Sequence, residues 1–128
     1  HVKQVLAVDI DAKLLAIVAK HGAANIRNVL AAPDNPRLAD ASVDTVFLCD
    51  VLHHIEQRPA YYAKLSKALK PGGRIVIVDF FKKPLPVGPP PAMKLSEEEV
   101  TAELKAAGFQ ATETHTFLPY QYFLVFTK

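Results

Sequence analysis

Acidic side chains follow four apolar, strand-like segments of this chain. Asp9 ends the first segment, Asp34 follows the second, Asp50 follows the third and Asp79 ends the fourth. In an open parallel sheet, ligands gather beyond the carboxyl ends of the strands. A carboxylate at the position of Asp9 can accept hydrogen bonds from both hydroxyls of a ribose, which indicates a nucleoside site. The alternative role for Asp9 is that of an acid at a helix N-terminus.

The segment after the third strand brings together side chains that could catalyse or bind a metal. Cys49, Asp50, His53 and His54 all have suitable donor atoms. These residues are very close together in the sequence, and residues so placed rarely surround an ion. No second cluster of ligands follows downstream, apart from a lone His115, so we predict no metal site. Either histidine could act as a general base, and both could instead cap or pack. We expect one to lie near the reacting group and the other to pack, without choosing between them.

The elements that must position these residues follow from hydrophobic periodicity. A helix capped by Asp11 follows the first strand, another begins near Pro59, and a capping box of Ser96 and Glu99 starts a third. This order predicts an α/β fold with three layers, in which a mostly parallel sheet ends in an antiparallel C-terminal strand and the fourth strand is central. The predicted strands are 4–9, 25–31, 44–49, 74–80, 109–116 and 120–127. The proline-rich segment 82–94 should form a surface loop or lid.

Composition narrows the classes of function. The chain has 128 residues and a formal net charge of +2, with no block of basic residues, which argues against a nucleic-acid partner. The single Cys49 excludes an internal disulfide, and no apolar stretch approaches the roughly 20 residues that cross a membrane. We therefore expect a cytoplasmic protein. Because the chain starts at His1 and opens into a strand, we also expect residues 1–128 to be a single, N-terminally incomplete domain.

Six short segments, in this order and spacing, resemble the class I S-adenosylmethionine-dependent methyltransferases. The resemblance spans nearly the whole chain, and although each segment is weak alone, the set is specific. The segments are Val8-Asp9-Ile10-Asp11, Pro33-Asp34-Asn35-Pro36-Arg37-Leu38, Ser42-Val43-Asp44-Thr45-Val46, Val51-Leu52-His53-His54-Ile55, Leu69-Lys70-Pro71-Gly72-Gly73-Arg74 and Ala107-Gly108-Phe109.

The resemblance implies S-adenosylmethionine as the cofactor and assigns roles to particular residues. It places the ribose at Asp9, beside Ile10, and the adenine at Asp34 and the backbone N–H of Asn35. Extra prolines around Asp34 leave open whether Asn35 takes the adenine role instead. The resemblance further implies that Asp50 and Val51 lie along the methionine half of the cofactor, and that His53 and His54 lie near its methyl group or at the helix entrance.

Two family features are missing from the sequence. No pair of glycines has the spacing of the glycine-rich loop that should precede the strand ending at Asp9, so the central first strand of the family sheet is expected to be missing. Truncation, a strand donated by another chain, or direct pairing of the flanking strands would each account for this, and the exposed edges predict a homo-oligomer. No Asn-Pro-Pro-Tyr sequence follows the third strand, which favours a small-molecule acceptor.

Two other functions remain open at this stage. The chain could be a non-catalytic α/β module that keeps the fold without binding cofactor. It could also be an NAD-type dinucleotide-binding protein, because Asp9 would suit the ribose of that cofactor too. Two features argue against an NAD-type protein. They are the C-terminal helix with its antiparallel pair of strands and the turn Pro71-Gly72-Gly73.

Overall fold

The structure is a computed structural model that describes residues 2–128. Six strands and three α-helices account for its regular structure, with short 3₁₀ turns at Leu52–His54 and Pro91–Met93. In chain order the elements are β1 (Val5–Asp9), α1 (Ala12–His21), β2 (Ile26–Leu30), β3 (Val43–Cys49), α2 (Arg58–Ala68), β4 (Leu69–Phe80), α3 (Glu97–Ala106), β5 (Gln110–His115) and β6 (Gln121–Thr127).

The larger sheet has four strands in the order β3-β4-β6-β5. β3 and β4 run parallel, whereas β6 runs antiparallel to both of its neighbours, β4 and β5. The predicted mixed α/β fold with an antiparallel C-terminal strand is thus confirmed. The predicted internal position of the fourth strand is confirmed as well, because β4 lies between β3 and β6.

The first two strands form a separate parallel pair. β1 and β2 pair from Val5 with Ile26 to Asp9 with Leu30. Within residues 2–128, no ladder joins β1 to β3. Of the three arrangements expected for a sheet without its central strand, direct pairing of the flanking strands is therefore not the one found in the structure.

The main core lies between α2, α3 and one face of the four-stranded sheet. Tyr62 and Leu65 of α2 meet Val100 and Leu104 of α3 and Phe126 of β6, and each of these side chains is fully buried. Burying side chains of this size stabilises a fold by about 1.5–3 kcal/mol each. Strands β3 and β4, with the residues that follow them, are therefore held on a rigid, helix-covered support.

Helix α1 packs more loosely than its sequence predicts. Asp11 caps it as expected, because its carboxylate accepts a hydrogen bond from the backbone N–H of Lys13 at 2.8 Å. The sequence places Leu14 and Leu15 on one apolar face of this helix, which predicts that both are buried. Leu15 is buried, but Leu14 is 50% exposed. The prediction for Leu14 is wrong because α1 packs against the narrow β1–β2 pair and has little other surface to cover.

The proline-rich segment 82–94 contains no strand and no α-helix, only the 3₁₀ turn near its end. Its two ends are tied together, because the buried Lys94 ammonium donates to the carbonyl oxygen of Lys83 at 2.8 Å. Gly88 lies against the ring of Phe80, so closely that a Cβ there would come within 2.9 Å of it. The segment thus folds back onto the end of β4, and its movement as a lid stays a prediction.

Candidate cofactor and catalytic site

Asp50 lies at the carboxyl end of β3 in a left-handed backbone conformation, with φ of +54°. Its backbone N–H donates to the carbonyl oxygen of Val78 at 2.8 Å, and its two carboxylate oxygens accept from the side-chain amide of Gln121 at 2.7 and 2.8 Å. Gln121 reaches this edge because β6 is antiparallel, so that its first residue lies beside the last residue of β4. Asp50 is therefore fixed by partners on two neighbouring strands.

His53 and Asp79 form a buried pair across the ends of β3 and β4. Nδ1 of His53 lies 2.9 and 3.0 Å from the two carboxylate oxygens of Asp79, and the backbone N–H of Phe80 also donates to Asp79, at 2.8 Å. The side chains of His53 and Asp79 are 4% and 1% exposed. An ionised carboxylate only accepts hydrogen bonds, so Nδ1 is the donor in this pair when Asp79 is ionised. Nε2 is left without a partner in residues 2–128.

His54 and Val51 flank this pair on the protein surface. The rings of His53 and His54 are 4.1 Å apart between centroids, at an angle of 45°. The side chain of Val51 is 42% exposed, and that of His54 is also exposed. The structure thus separates the two histidines by environment, since His53 is bound to a carboxylate and His54 faces solvent.

The thiol of Cys49 is poorly suited to metal binding. Partial burial, and then the charge of Asp50, raise its pKa above the ordinary value, which keeps the group protonated. Among residues 2–128, no three His, Cys, Asp or Glu side chains come together in a way that could hold a metal ion.

Asp9 and Ile10 lie at the carboxyl end of β1. One carboxylate oxygen of Asp9 accepts from the backbone N–H of Asp11 at 2.9 Å, and the other has no partner within the described chain. Ile10 is 59% exposed. A carboxylate with spare acceptor capacity beside an exposed apolar side chain fits the sugar and base of a nucleoside. Within residues 2–128, this corner of the chain can therefore accept such a cofactor.

Asp34 and Asn35 lie in a tight turn just beyond β2. The N–H of Asn35 donates to the carbonyl oxygen of Ala32 at 3.1 Å, and its side-chain oxygen accepts from the N–H of Arg37 at 2.8 Å. The carbonyl oxygen of Asp34 accepts from Lys64 at 2.6 Å, whereas its carboxylate is exposed. Adenine recognition by Asn35 would therefore have to replace hydrogen bonds that form the turn, while the Asp34 carboxylate is available.

The structure brings the predicted site residues together in two groups. Asp9, Ile10, Asp34 and Asn35 belong to the β1–β2 pair, and Asp50, Val51, His53 and His54 belong to the larger sheet. Sequence reasoning did not select Gln121 or assign a role to Asp79. For Asp79, its position at the end of a buried strand was a usable signal. For Gln121 there was none, because its contact depends on the register of β6.

Comparison with known proteins identifies the family of the chain. A family model described as a methyltransferase domain matches residues 1–77, which is more than half of the chain. The chain belongs to the class I S-adenosylmethionine-dependent methyltransferases. The family predicted from the six sequence segments is thus confirmed.

Individual relatives of this methyltransferase-family chain match over limited lengths. It is 30% identical over 79 residues to phosphoethanolamine N-methyltransferase 1 of Triticum aestivum, covering 62% of this chain and 14% of that protein. The first three curated relatives are each covered over only 14–17% of their length.

Two solved structures show the same fold. A SAM-dependent methyltransferase from Aquifex aeolicus superposes with a TM-score of 0.89 at 24% identity, over 97% of this chain and 68% of that one. The 1,6-didemethyltoxoflavin-N1-methyltransferase of Burkholderia thailandensis superposes with a TM-score of 0.72 at 22% identity, over 98% of this chain and 61% of that one. It was crystallised with 1,6-didemethyltoxoflavin and S-adenosylhomocysteine. At these identities, the similarity concerns the fold.

Proposed function

We propose that this chain takes part in S-adenosylmethionine-dependent methyl transfer to a small-molecule acceptor. The observation that carries the proposal is the pairing of His53 with Asp79, next to Asp50, at the carboxyl edge of parallel strands in a methyltransferase-family chain. This is the edge at which open α/β sheets bind ligands. The cofactor would supply a methyl group on a positively charged sulfur.

Different residues would bind different parts of the cofactor. Asp9 would bind the ribose, with Ile10 beside the nucleoside. Asp34 and Asn35 would meet the adenine, with the exposed carboxylate of Asp34 the more available of the two. The remaining contacts would come from the larger sheet, with Asp50 and Val51 along the methionine half and His53 and His54 near the methyl group.

A small acceptor is supported by the relatives. One is named for phosphoethanolamine and another for 27-O-demethylrifamycin SV, which are both small molecules. The absence of an Asn-Pro-Pro-Tyr sequence after β3 agrees with this class. Neither a nucleic-acid nor a membrane partner is proposed. Within residues 2–128, no helix is long and apolar enough to cross a membrane, and a cytoplasmic location stays a prediction.

Titration calorimetry with S-adenosylmethionine and S-adenosylhomocysteine tests the proposal. Asp9→Ala should weaken binding more than about tenfold, because a charged hydrogen-bond acceptor for the ribose is lost. Asp44→Ala is the matched control, since Asp44 is 82% exposed and pairs only with Lys70 at the opposite end of β3. It should leave the affinity nearly unchanged.

Two results would contradict the proposal in different ways. Equal effects of Asp9→Ala and Asp44→Ala, in variants that are equally folded, would remove the ribose role from Asp9. No binding of either ligand by the folded wild-type chain would favour the non-catalytic α/β module. Such a result would agree with the lack of a ladder between β1 and β3 within residues 2–128.

A further inference from the structure

The buried pair of His53 and Asp79 carries an inference about how the acceptor is activated. We infer that Asp79 is a positioning residue that fixes the tautomer of His53, and that Nε2 of His53 takes the proton from an acceptor hydroxyl or amine during methyl transfer. This inference rests on the proposed function. It assigns the role of base to His53 rather than to His54, and it names the class of acceptor.

Asp79 lies in an environment in which its carboxylate accepts hydrogen bonds from two donors. Its carboxylate is 1% exposed and accepts from Nδ1 of His53 and from the backbone N–H of Phe80. A buried carboxylate with two donors is an acceptor only, so the neutral imidazole must present its proton at Nδ1 and its lone pair at Nε2. The same carboxylate stabilises the positive charge that the ring gains when it takes up a proton.

Nε2 of His53 is accessible although most of the side chain is buried. The side chain of His53 is only 4% exposed. Every buried side-chain nitrogen or oxygen of the described residues has a hydrogen-bond partner, yet Nε2 has none. Nε2 must therefore belong to the part of the ring that reaches the surface. The unpaired Nε2 of an almost buried histidine is thus accessible to a ligand.

The Tyr122 hydroxyl and the Cys49 thiol near Asp79 cannot take this role at neutral pH. Burial, and then the charge of Asp79, raise the pKa of the Tyr122 hydroxyl, which donates to the carbonyl oxygen of Leu95 at 3.0 Å. Cys49 also has a raised pKa, for which burial is the main cause. Both groups stay protonated. His54 is exposed and has no carboxylate in hydrogen-bond contact to fix its tautomer.

The chemistry balances with one proton transfer. A lone pair of the acceptor oxygen or nitrogen forms a bond to the methyl carbon, while the carbon–sulfur bond breaks and its electrons return to the sulfur. Nε2 of His53 would take the proton of the acceptor, while the sulfur would leave as part of a neutral thioether. An acceptor atom that carries no proton would need no base. A hydroxyl or an amine with an N–H is therefore the class that this site suits.

Nitrogen-15 NMR of the full 128-residue chain tests the positioning role of Asp79. At pH 8 the wild type should show His53 protonated at Nδ1 and unprotonated at Nε2. Asp79→Asn should shift the proton toward Nε2, because an amide can donate to Nδ1. Asp44→Asn, on the exposed surface, should change nothing. A wild-type His53 protonated at Nε2 would overturn the inference, and this measurement decides even where Asp79→Asn does not fold.

Carbethoxylation with diethyl pyrocarbonate, read by peptide mass spectrometry, tests the access to Nε2. His53 should react in the folded protein, and saturating S-adenosylhomocysteine should slow that reaction while leaving exposed His21 unaffected. An unreactive His53, or one that S-adenosylhomocysteine binds without protecting, would overturn the role of base. Failure of S-adenosylhomocysteine to bind would instead count against the proposed function, while the tautomer and the reactivity of His53 would still be decided.

Discussion

Outside the candidate site, hydrogen bonds join the side chains of Arg58 and Tyr62 to Glu103. The guanidinium of Arg58 donates two hydrogen bonds of 2.8 Å to the Glu103 carboxylate, and the Tyr62 hydroxyl donates a third at 2.9 Å. Arg58 also donates to the carbonyl oxygen of Ile55 at 3.0 Å, just after the turn that carries His53. The cluster therefore ties α2 and α3 to the segment that carries His53.

The Arg58–Glu103 contact predicts a pH dependence of stability. The hydrogen bonds from Arg58 hold the pKa of Glu103 below its ordinary value near 4.5. A lowered folded-state pKa stabilises the fold above the ordinary value, and this stabilisation is lost as the pH falls through the folded-state pKa. Glu103→Gln should lower the free energy of unfolding by roughly 1–3 kcal/mol at pH 7, and by less at pH 3.

Urea unfolding of Glu103→Gln and the wild type at the two pH values measures this difference. Glu98→Gln is the matched control, because Glu98 lies exposed on the same helix. It should cost little at either pH. A loss in Glu103→Gln that is the same at pH 3 and pH 7 would show that the contact does not depend on the charge of Glu103.

Residue types in the site could be predicted from the sequence, but their partners could not. Asp50, His53 and His54 stand out because polar side chains follow an apolar strand. The contact of His53 with Asp79 joins residues 26 apart, and that of Gln121 with Asp50 joins residues 71 apart. Both depend on strand register, which side-chain pattern alone does not specify across sheet neighbours. The choice between the two histidines therefore needed the structure.

At the scale of elements, the sequence predicts the turn between α2 and β4 but not the backbone conformation of both its glycines or the residue at which β4 begins. The sequence Lys70-Pro71-Gly72-Gly73 predicts a turn in which the glycines take positive backbone torsions. Gly72 has φ of +77°, but Gly73 is not in this region and is instead packed against backbone. β4 already pairs with β3 at Leu69 and resumes at Arg74 after an irregularity. The strand therefore begins five residues earlier than predicted, because a bulge continues the ladder through the turn.

The two glycines of this junction should respond differently to alanine. A Cβ at Gly73 would lie 2.8 Å from the carbonyl oxygen of Lys70 and 3.2 Å from that of Asp44, so β3 and β4 would have to shift. A Cβ at Gly72 would meet nothing within 4 Å, which leaves only backbone strain. We expect losses of about 2–3 kcal/mol for Gly73→Ala and about 1 kcal/mol for Gly72→Ala. Chemical unfolding measures both, and the reverse order would contradict this packing.

Other helices and strands lie where hydrophobic periodicity predicts them, because each packs against or pairs with a neighbouring element. β5 and β6 are found within one residue of the predicted ranges, and the capping box of Ser96 and Glu99 starts α3 as expected. The prediction fails for Leu14 of α1, whose apolar face has only the β1–β2 pair to cover. A periodic pattern shows which face is apolar, but whether that face is buried depends on the neighbouring elements.

At the scale of the whole molecule, large apolar side chains of β1, α1 and β3 are exposed. Phe47 of β3 is 59% exposed, because it points away from the helix-covered face on which Val46 and Leu48 are buried. Val8 of β1 and Ile17 of α1 are 38% and 56% exposed. Exposed apolar surface beside unpaired strand edges favours association with another chain.

This exposed surface predicts that the 128-residue chain self-associates, with Phe47 as a main contact. Closed two-fold dimers are the commonest outcome for a self-complementary surface. Phe47→Glu would place a charge on the edge strand, which disfavours pairing between edges. We therefore expect light scattering at tens of micromolar to show an oligomer for the wild type and a smaller mass for Phe47→Glu.

Val87→Glu is the control for this experiment, because Val87 is 45% exposed but lies in the proline-rich segment and not on β1 or β3. It should leave the mass unchanged. A wild-type chain that stays monomeric and unfolds cooperatively would show that the exposed edges of β1 and β3 do not recruit a second copy. An equal loss of mass in Phe47→Glu and Val87→Glu would instead mean that association depends on overall charge rather than on the edge of β3.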